Sequence, residues 1–203
     1  KYAHDRIHLV GMFVAILELA RRKYVRIEQS KDFSDIHLLT VSGKNYENLK
    51  FSEDEITVKL INASVSGNTS SNGLARLDWS LGDSPDVVVL CLGANDMLRG
   101  IDPVLTKENL NAMIVKIKEN GATVVFAGMR SPDSMGEDYQ SQFDRLYVDL
   151  AEQHDLIFMS FLLKDVALEA QYLLRDFKHP NALGVKVIAE NLYPYLITSL
   201  KRF

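Results

Sequence analysis

The sequence predicts an α/β fold built on a central parallel β-sheet, and three observations lead to this prediction. Apolar runs of strand length alternate with helix-like stretches of about 10–15 residues, which is the pattern of βαβ units. Residues 86–92, DVVVLCL, form a nearly unbroken apolar run, as expected of a strand that is buried on both faces. The chain has 203 residues, 47% of them hydrophobic, which is enough for one domain with a full core.

The first third of the chain predicts its elements least clearly. Residues 7–20 are the most apolar stretch; they are too few to span a bilayer, and they predict an amphipathic or buried helix. A helical pattern also runs over residues 13–27 and ends in a basic turn that suits the helix dipole. The remaining predicted elements are a strand, a short helix and a second strand, over residues 36–41, 46–51 and 56–61.

From residue 73 onward the alternation of elements becomes regular. A helix over residues 73–81 leads into the strand at 86–92, and a further helix over residues 106–119 begins at the capping residue Thr106. The elements predicted after it are a strand, a helix, a strand, a partly helical stretch, a loop and a closing helix, over residues 123–129, 138–154, 156–160, 161–174, 176–181 and 183–200.

Composition excludes several classes of function. A formal charge of −4 gives no support for nucleic-acid binding, which needs a basic patch. Cys91 is the one cysteine of the sequence, so neither a disulfide framework nor a thiolate metal site is expected. Because Cys91 lies in the predicted buried strand, we expect it to pack in the core as an inert thiol.

Two sets of polar residues stand where an active site is expected. Asn95 follows the strand at 86–92, at the edge of the sheet where open α/β folds bind ligands. An amide there can donate to a developing oxyanion, although Asn-Asp is also typical of a simple Asx turn. Asp176 and His179 lie three residues apart, a spacing that lets the carboxylate fix the imidazole tautomer, as in a nucleophilic triad. By itself such a pair is a weak signal.

Three stretches read together resemble successive blocks of the SGNH (GDSL) hydrolases, in particular bacterial thioesterase I/lysophospholipase and arylesterases. They are INASVSGNTSSNGLARLDWSL, LGANDMLRG and DFKHPNALG, and the resemblance covers about residues 56–195. It implies a flavodoxin-like, three-layer α/β/α fold with a central parallel sheet, as one domain over residues 1–203 in which residues 1–55 are atypical. It also implies that Gly67 and Asn95 belong to the oxyanion hole, and that Asp176 and His179 belong to the triad.

The sequence departs from this family at the nucleophile. The family's first block, Gly-Asp-Ser-Leu at the end of the first strand, is absent upstream of residue 62. A literal Gly-Asp-Ser occurs at residues 82–84, but it follows Gly67 and leads into a strand from its amino end. Ser84 is therefore expected at the wrong edge of the sheet and is excluded as the nucleophile.

Three other serines compete for the role. Ser42 is preferred because it ends a predicted apolar strand and begins a turn, although it leaves little room for a first helix before Gly67. Ser34 has better spacing to Gly67 but no convincing strand before it, and Ser30 is weaker still. Another alignment places residues 11–13 in the first block and leaves no nucleophile at all.

The resemblance implies a carboxylic ester hydrolase that uses no cofactor and no metal. The triad would be Ser42, Asp176 and His179, and the substrates small acyl esters or thioesters, such as short acyl esters or lysophospholipids. Two alternatives stay open: a non-catalytic module that binds an acyl group or a glycan, and an esterase that removes acetyl groups from carbohydrate. Residues 98–101 and 130–139 form either an acyl-chain groove, with Met129, Pro132 and Met135, or a plain exposed connection.

The same resemblance bears on partners and cellular address. We expect a bacterial enzyme, periplasmic or cytoplasmic, with no nucleic-acid partner and no stable membrane insertion. The apolar N-terminal stretch neither supports nor excludes export, and the oligomeric state is not predicted.

Overall fold

The structure is a computed structural model that describes residues 7–10, 25–28, 37–40, 49–51, 56–61, 63, 65, 67–82 and 84–203, with side chains from Ile61 onward. The described strands, in chain order, are β1 Ile7–Val10, β2 Val25–Glu28, β3 His37–Thr40, β4 Leu49–Phe51, β5 Ile56–Ile61, β6 Val87–Leu90, β7 Thr123–Ala127 and β8 Ile157–Met159. The described α-helices are α1 Ser70–Ala75, α2 Leu77–Leu81, α3 Ala94–Leu98, α4 Pro103–Glu119, α5 Glu137–His154 and α6 Ala182–Leu200.

Six of these strands form one sheet in the order β4-β5-β1-β6-β7-β8. Neighbouring strands are parallel from β5 to β8, and β4 runs antiparallel to β5. Because β5 and β6 lie on opposite sides of β1, the strand order reverses there, and such a switch point is where open α/β sheets bind ligands. The described strands β2 and β3 form a separate antiparallel pair.

Two helices and the central strands make most of the described core. On α4, Leu110, Ile114 and Ile117 recur at helical spacing and are fully buried. On α5, Phe143 and Tyr147 do the same, and their rings pack edge to face with centroids 5.5 Å apart. Helix α4 packs on β7 and on α5, while α6 packs on β7 and β8. In β6, Val87, Val88 and Leu90 are buried and Val89 is half-buried, in agreement with the predicted buried strand.

From β5 onward the predicted elements are confirmed within a few residues. The short helix α3 was not predicted, because its first residues had been interpreted as a turn, and two further differences are informative. The predicted helix over residues 73–81 is divided at Arg76 into α1 and α2. The predicted cap of α4 is wrong, because this helix begins at Pro103 and its N-cap is Asp102, whose Oδ1 accepts from Val104 N–H at 2.8 Å. Asp followed by Pro is a stronger start signal than Thr106, since proline loses no hydrogen bond in the first turn.

Nearer the N-terminus several predictions are wrong. Ile7–Val10 is a central strand and not part of a helix, and Val25–Glu28 and Leu49–Phe51 are also strands where helix was predicted. Short apolar segments of a buried strand and of a buried helix cannot be told apart by periodicity, which is the physical reason for the error. The strand predicted at residues 36–41 is present as His37–Thr40, but it pairs with β2 and not with the main sheet.

The structure also bears on two further predictions, the inert thiol of Cys91 and the absence of a membrane-spanning helix. Burial raises the pKa of the Cys91 thiol to about 12, so it stays protonated and inert, as expected for a core position. None of the helices in the described residues combines the length and the hydrophobicity that a membrane span requires.

Candidate active site

The connection after β5 and the turn after β6 are joined by a side chain. Asn95, the second residue of α3, donates from Nδ2 to the carbonyl oxygen of Asn68 at 3.0 Å. Asn68 directly follows Gly67, so the structure brings the two predicted oxyanion-hole residues into adjoining loops. Gly67 has a φ of +77°, a conformation that glycine adopts without steric cost.

Two arginine side chains from outside the Gly67 loop donate hydrogen bonds to it. Arg99 donates from Nη2 to the carbonyl oxygen of Gly67 at 2.9 Å. Arg76 donates from Nε to Asn68 Oδ1 at 2.9 Å, and from Nη1 to the carbonyl oxygen of Ala63. The path of the loop is therefore set by side chains from two other segments, and sequence reasoning had assigned no role to either arginine.

The turn before Asn95 depends on one close approach. Gly93 has a φ of +110°, and a Cβ atom at this position would lie 2.0 Å from the hydroxyl oxygen of Tyr147. Tyr147 donates this hydroxyl to the carbonyl oxygen of Leu92 at 2.9 Å. Burial raises the pKa of Tyr147 well above its usual value, so the hydroxyl remains a donor. Glycine at 93 is thus required both by the backbone and by the tyrosine from α5.

Asp176 and His179 form the predicted pair. Asp176 Oδ2 lies 2.5 Å from Nδ1 of His179, and Oδ1 accepts the N–H groups of Lys178 and His179 at 3.0 and 3.1 Å. Partial burial alone would raise the pKa of Asp176, but these hydrogen bonds outweigh it and lower the pKa to about 2. The carboxylate is therefore charged at neutral pH and fixes the orientation of the imidazole.

The loop that carries this pair is closed at its base. Leu174 N–H donates to the carbonyl oxygen of His179 at 2.8 Å, and Leu173 forms an antiparallel bridge with Pro180. Asn181 caps α6 through Oδ1 and donates from Nδ2 to the carbonyl oxygen of Leu173 at 3.2 Å. The DFKHPN segment is thus a hairpin-like loop fastened to the helix that follows it.

The three candidate nucleophiles, Ser42, Ser34 and Ser30, lie outside the described residues. The strand predicted before Ser42 is present as His37–Thr40, but it belongs to the separate β2–β3 pair and not to the six-stranded sheet, and the choice of Ser42 stays a prediction. The exclusion of Ser84 is confirmed. It lies just before the amino end of β6, and its N–H donates to the carbonyl oxygen of Leu81 at 2.9 Å.

The two segments predicted to line an acyl-chain groove are in contact. Tyr139 donates its hydroxyl to the carbonyl oxygen of Ile101 at 2.8 Å, which joins residues 98–101 to the 130–139 connection. Met129 is buried beneath them, Met135 is half-buried against the core and Pro132 is exposed. The side chain of Leu98 stays 48% exposed at the end of α3.

Two family models match different parts of this chain. Residues 43–187 match the model of the GDSL-like Lipase/Acylhydrolase family. Residues 1–41 match a different model, that of Segregation and condensation protein ScpA. The two matches do not overlap, and Ser42 lies between them. The predicted departure of the N-terminal residues from the hydrolase pattern thus coincides with a match to another family, and all three candidate nucleophiles precede the hydrolase match.

Individual relatives agree with the larger match. The chain is 40% identical to an arylesterase of Vibrio mimicus over 144 residues, which cover 70% of this chain and 72% of the relative. It is 35% identical to thioesterase 1/protease 1/lysophospholipase L1 of Escherichia coli K12 over 132 residues, 64% of each chain. The crystal structure of TesA superposes with a TM-score of 0.73 at 26% identity, and covers 96% of this chain and 99% of that one.

Proposed function

We propose, from the premise that this chain belongs to the GDSL-like lipase/acylhydrolase family, that it hydrolyses small carboxylic esters and thioesters by acyl transfer to a serine. The predicted enzyme class, carboxylic ester hydrolase, and the predicted α/β fold of SGNH hydrolases are both confirmed by the relatives. The observation that carries the mechanism is the 2.5 Å contact between Asp176 Oδ2 and His179 Nδ1. This contact gives the imidazole the orientation that a general base requires.

The proposed reaction assigns one role to each site residue. With Nδ1 bound to Asp176, His179 takes the hydroxyl proton of the serine at Nε2 while the serine oxygen bonds to the acyl carbon. The carbonyl oxygen becomes an oxyanion, which the Asn95 amide and the Gly67 N–H stabilise. The bond to the leaving oxygen or sulfur then breaks, and the leaving group takes the proton from His179. Water repeats the cycle and releases the acid.

Ser42 is the serine that we propose for this reaction, with Ser34 and Ser30 as the alternatives. Support for Ser42 is that the strand predicted before it is present as His37–Thr40, and that of the three serines it lies nearest to the hydrolase match, which begins at residue 43. The acyl group is proposed to lie against residues 98–101 and the 130–139 connection, because the Tyr139–Ile101 hydrogen bond makes these a continuous surface beside Asn95.

The test uses p-nitrophenyl acetate and butyrate with purified wild type and three variants. His179→Ala is expected to lower kcat by roughly 10⁴-fold or more, because the general base is lost. Ser42→Ala is expected to be equally inactive. Ser84→Ala is the matched control and should keep full activity, since it removes a serine from the opposite edge of the sheet.

Covalent labelling identifies the nucleophile independently. A fluorophosphonate should modify the wild type and not His179→Ala, and peptide mapping should place the adduct on Ser42. An adduct on Ser34 or Ser30 would keep the hydrolase and move the nucleophile. Folded wild type with neither labelling nor hydrolysis above His179→Ala would refute the proposed mechanism in favour of a non-catalytic binding module.

A further inference from the structure

Asp96 is a buried carboxylate that the proposed mechanism does not use. Asp96 is 1% exposed, and among the buried residues that the structure describes it is the one Asp, Glu, Lys, Arg or His. Burial of a charge is costly unless hydrogen bonds compensate for it. A carboxylate retained beside Asn95 therefore requires a reason.

The shortest hydrogen bonds to this carboxylate come from Ser70, the first residue of α1, which directly follows the loop that carries the other predicted oxyanion donor. Oδ2 accepts the backbone N–H of Ser70 at 2.8 Å, and Oδ1 accepts the Ser70 hydroxyl at 2.5 Å. The Thr106 hydroxyl lies 3.4 Å from Oδ1. Each of these donors is a neutral group, so none of them supplies a positive charge opposite the carboxylate. Their hydrogen bonds fix the position of the carboxylate.

These contacts complete a two-point connection between the loops. Asn95 donates to the carbonyl oxygen of Asn68, and the next residue, Asp96, accepts from Ser70, two residues further along the other segment at the start of α1. One bond alone would allow the loops to pivot, whereas two bonds of opposite direction fix both their separation and their relative rotation. Gly67 and Asn95 are thereby held in one geometry.

We infer that Asp96 is a positioning residue for the oxyanion hole: it holds the Gly67 loop and the Asn95 turn at the separation at which both can donate to one oxygen atom. This inference rests on the proposed function, because it assigns Gly67 and Asn95 as the two donors. Asp96 does not touch the substrate. Its effect passes through Asn95 and through Ser70.

The direction of the hydrogen bonds explains why a carboxylate is needed. The Ser70 hydroxyl donates to Asp96 and accepts from Nδ2 of Asn109 at 3.0 Å, so the chain of bonds runs toward residue 96. An amide at position 96 has one acceptor and one donor end. In one orientation Asp96→Asn loses the bond from the Ser70 N–H. In the other it keeps that bond but reverses the hydroxyl bond, so that the Ser70 hydroxyl proton loses its acceptor.

The kinetic test compares Asp96→Asn with Asp102→Asn as the matched control. Asp102→Asn removes the same charge six residues away, and asparagine caps a helix about as well as aspartate, so its kcat should stay within about twofold of wild type. Asp96→Asn should lower kcat for p-nitrophenyl acetate by about 10²-fold with KM within about threefold, because misplaced donors weaken the transition state alone.

A double-mutant cycle with Asn95→Ala separates positioning from a general loss of folding. If Asp96 acts through the oxyanion hole, Asp96→Asn should cost less than about threefold in the Asn95→Ala background. An equal loss in both backgrounds, or no loss in the wild-type background, would overturn the inference. Should Asp96→Asn not fold, Ser70→Ala replaces it, since it removes the hydroxyl bond and keeps both the carboxylate and the backbone bond.

An NMR measurement keeps the inference testable even if the proposed function fails. The backbone amide signal of Gly67 and the side-chain amide signals of Asn95 should both shift in Asp96→Asn and stay in place in Asp102→Asn. Unchanged signals in Asp96→Asn would overturn the positioning role. Absent hydrolysis by the wild type would refute the proposed function alone, because the NMR result does not depend on turnover.

Discussion

The two parts of the candidate active site are held by different kinds of contact. On the oxyanion side, the bonds from Asn95 and to Asp96 join residues 27 and 26 positions apart, and Asp96 is 1% exposed. On the general-base side, Asp176 bonds to residues two and three positions away, and the side chain of His179 is 63% exposed. The first part is a product of tertiary packing, and the second is a local motif.

Because of this difference, substitutions in the two parts should have different effects on activity and stability. A local motif keeps its geometry as long as its own few residues are intact, so damage to it should impair chemistry without unfolding the chain. The oxyanion side shares its contacts with the core, through Tyr147 and Thr106, so changes there should affect folding and catalysis together.

Asp176→Asn should give the largest loss of activity while the chain stays folded. An amide at 176 can donate to Nδ1 of His179 and so favour the wrong tautomer, which should lower kcat by about 10⁴-fold. The check is kcat together with urea unfolding. A variant without a cooperative urea transition would show that the loop is not the self-contained motif described here.

The pH dependence of stability sharpens the same point. The folded-state pKa of Asp176 is about 2, below its ordinary 3.8, so its contribution to stability is present above about pH 4 and is lost as the pH falls toward 2. Urea unfolding of wild type between pH 5 and 2 should show this loss. Asp176→Asn should show a smaller dependence, whereas equal slopes would contradict the hydrogen bonds assigned to this carboxylate.

Asn95→Ala should have the next largest effect. Loss of one oxyanion donor typically costs about 10²–10³ in kcat, and loss of the bond to Asn68 should also lower the free energy of unfolding by about 1 kcal/mol. Steady-state kinetics and urea unfolding measure the two effects on one preparation. Activity near that of wild type would remove Asn95 from the mechanism.

Tyr147→Phe tests the packing beneath the turn, with Tyr139→Phe as its matched comparison. Each removes one hydroxyl that donates to a backbone carbonyl, from Leu92 and Ile101 respectively. Tyr147 is almost fully buried, so its loss should cost about 1–3 kcal/mol of unfolding free energy, against about 0.5–1.5 for the half-buried Tyr139. A larger loss of unfolding free energy in Tyr139→Phe would contradict the role of the Tyr147 hydroxyl in holding the turn at Leu92 and Gly93.

Arg99→Ala should have the smallest effect. Its side chain is exposed and makes one bond to the Gly67 carbonyl, so stability should fall by at most about 1 kcal/mol. Arg76→Ala should cost more, because Arg76 is half-buried and bonds to the same loop at two points. Equal losses of unfolding free energy in the two variants would show that the half-buried Arg76 stabilises the loop no more than the exposed Arg99 does.

The same contrast separates what could be predicted from what could not. Strands β6 to β8 and helices α4 to α6 were predictable, because long apolar periodicity is a local property that burial then satisfies. Strand β1 was predicted as helix, since a short apolar run carries no period that distinguishes the two. Its place between β5 and β6 follows from parallel pairing with residues about 50 to 80 positions away.

By itself the sequence determined the general-base pair, because the hydrogen bonds of the Asp176 carboxylate to Lys178 and His179 span two and three residues and leave a readable spacing. It also gave Asn95 and Gly67 as candidates for the oxyanion hole, through motifs that resemble those of the SGNH (GDSL) hydrolases. Only the tertiary structure decided that Asp96 joins their loops and that Tyr147 supports the turn. The physical reason is that a buried carboxylate and a buried hydroxyl reveal their partners only after the sheet has brought distant segments within hydrogen-bonding distance.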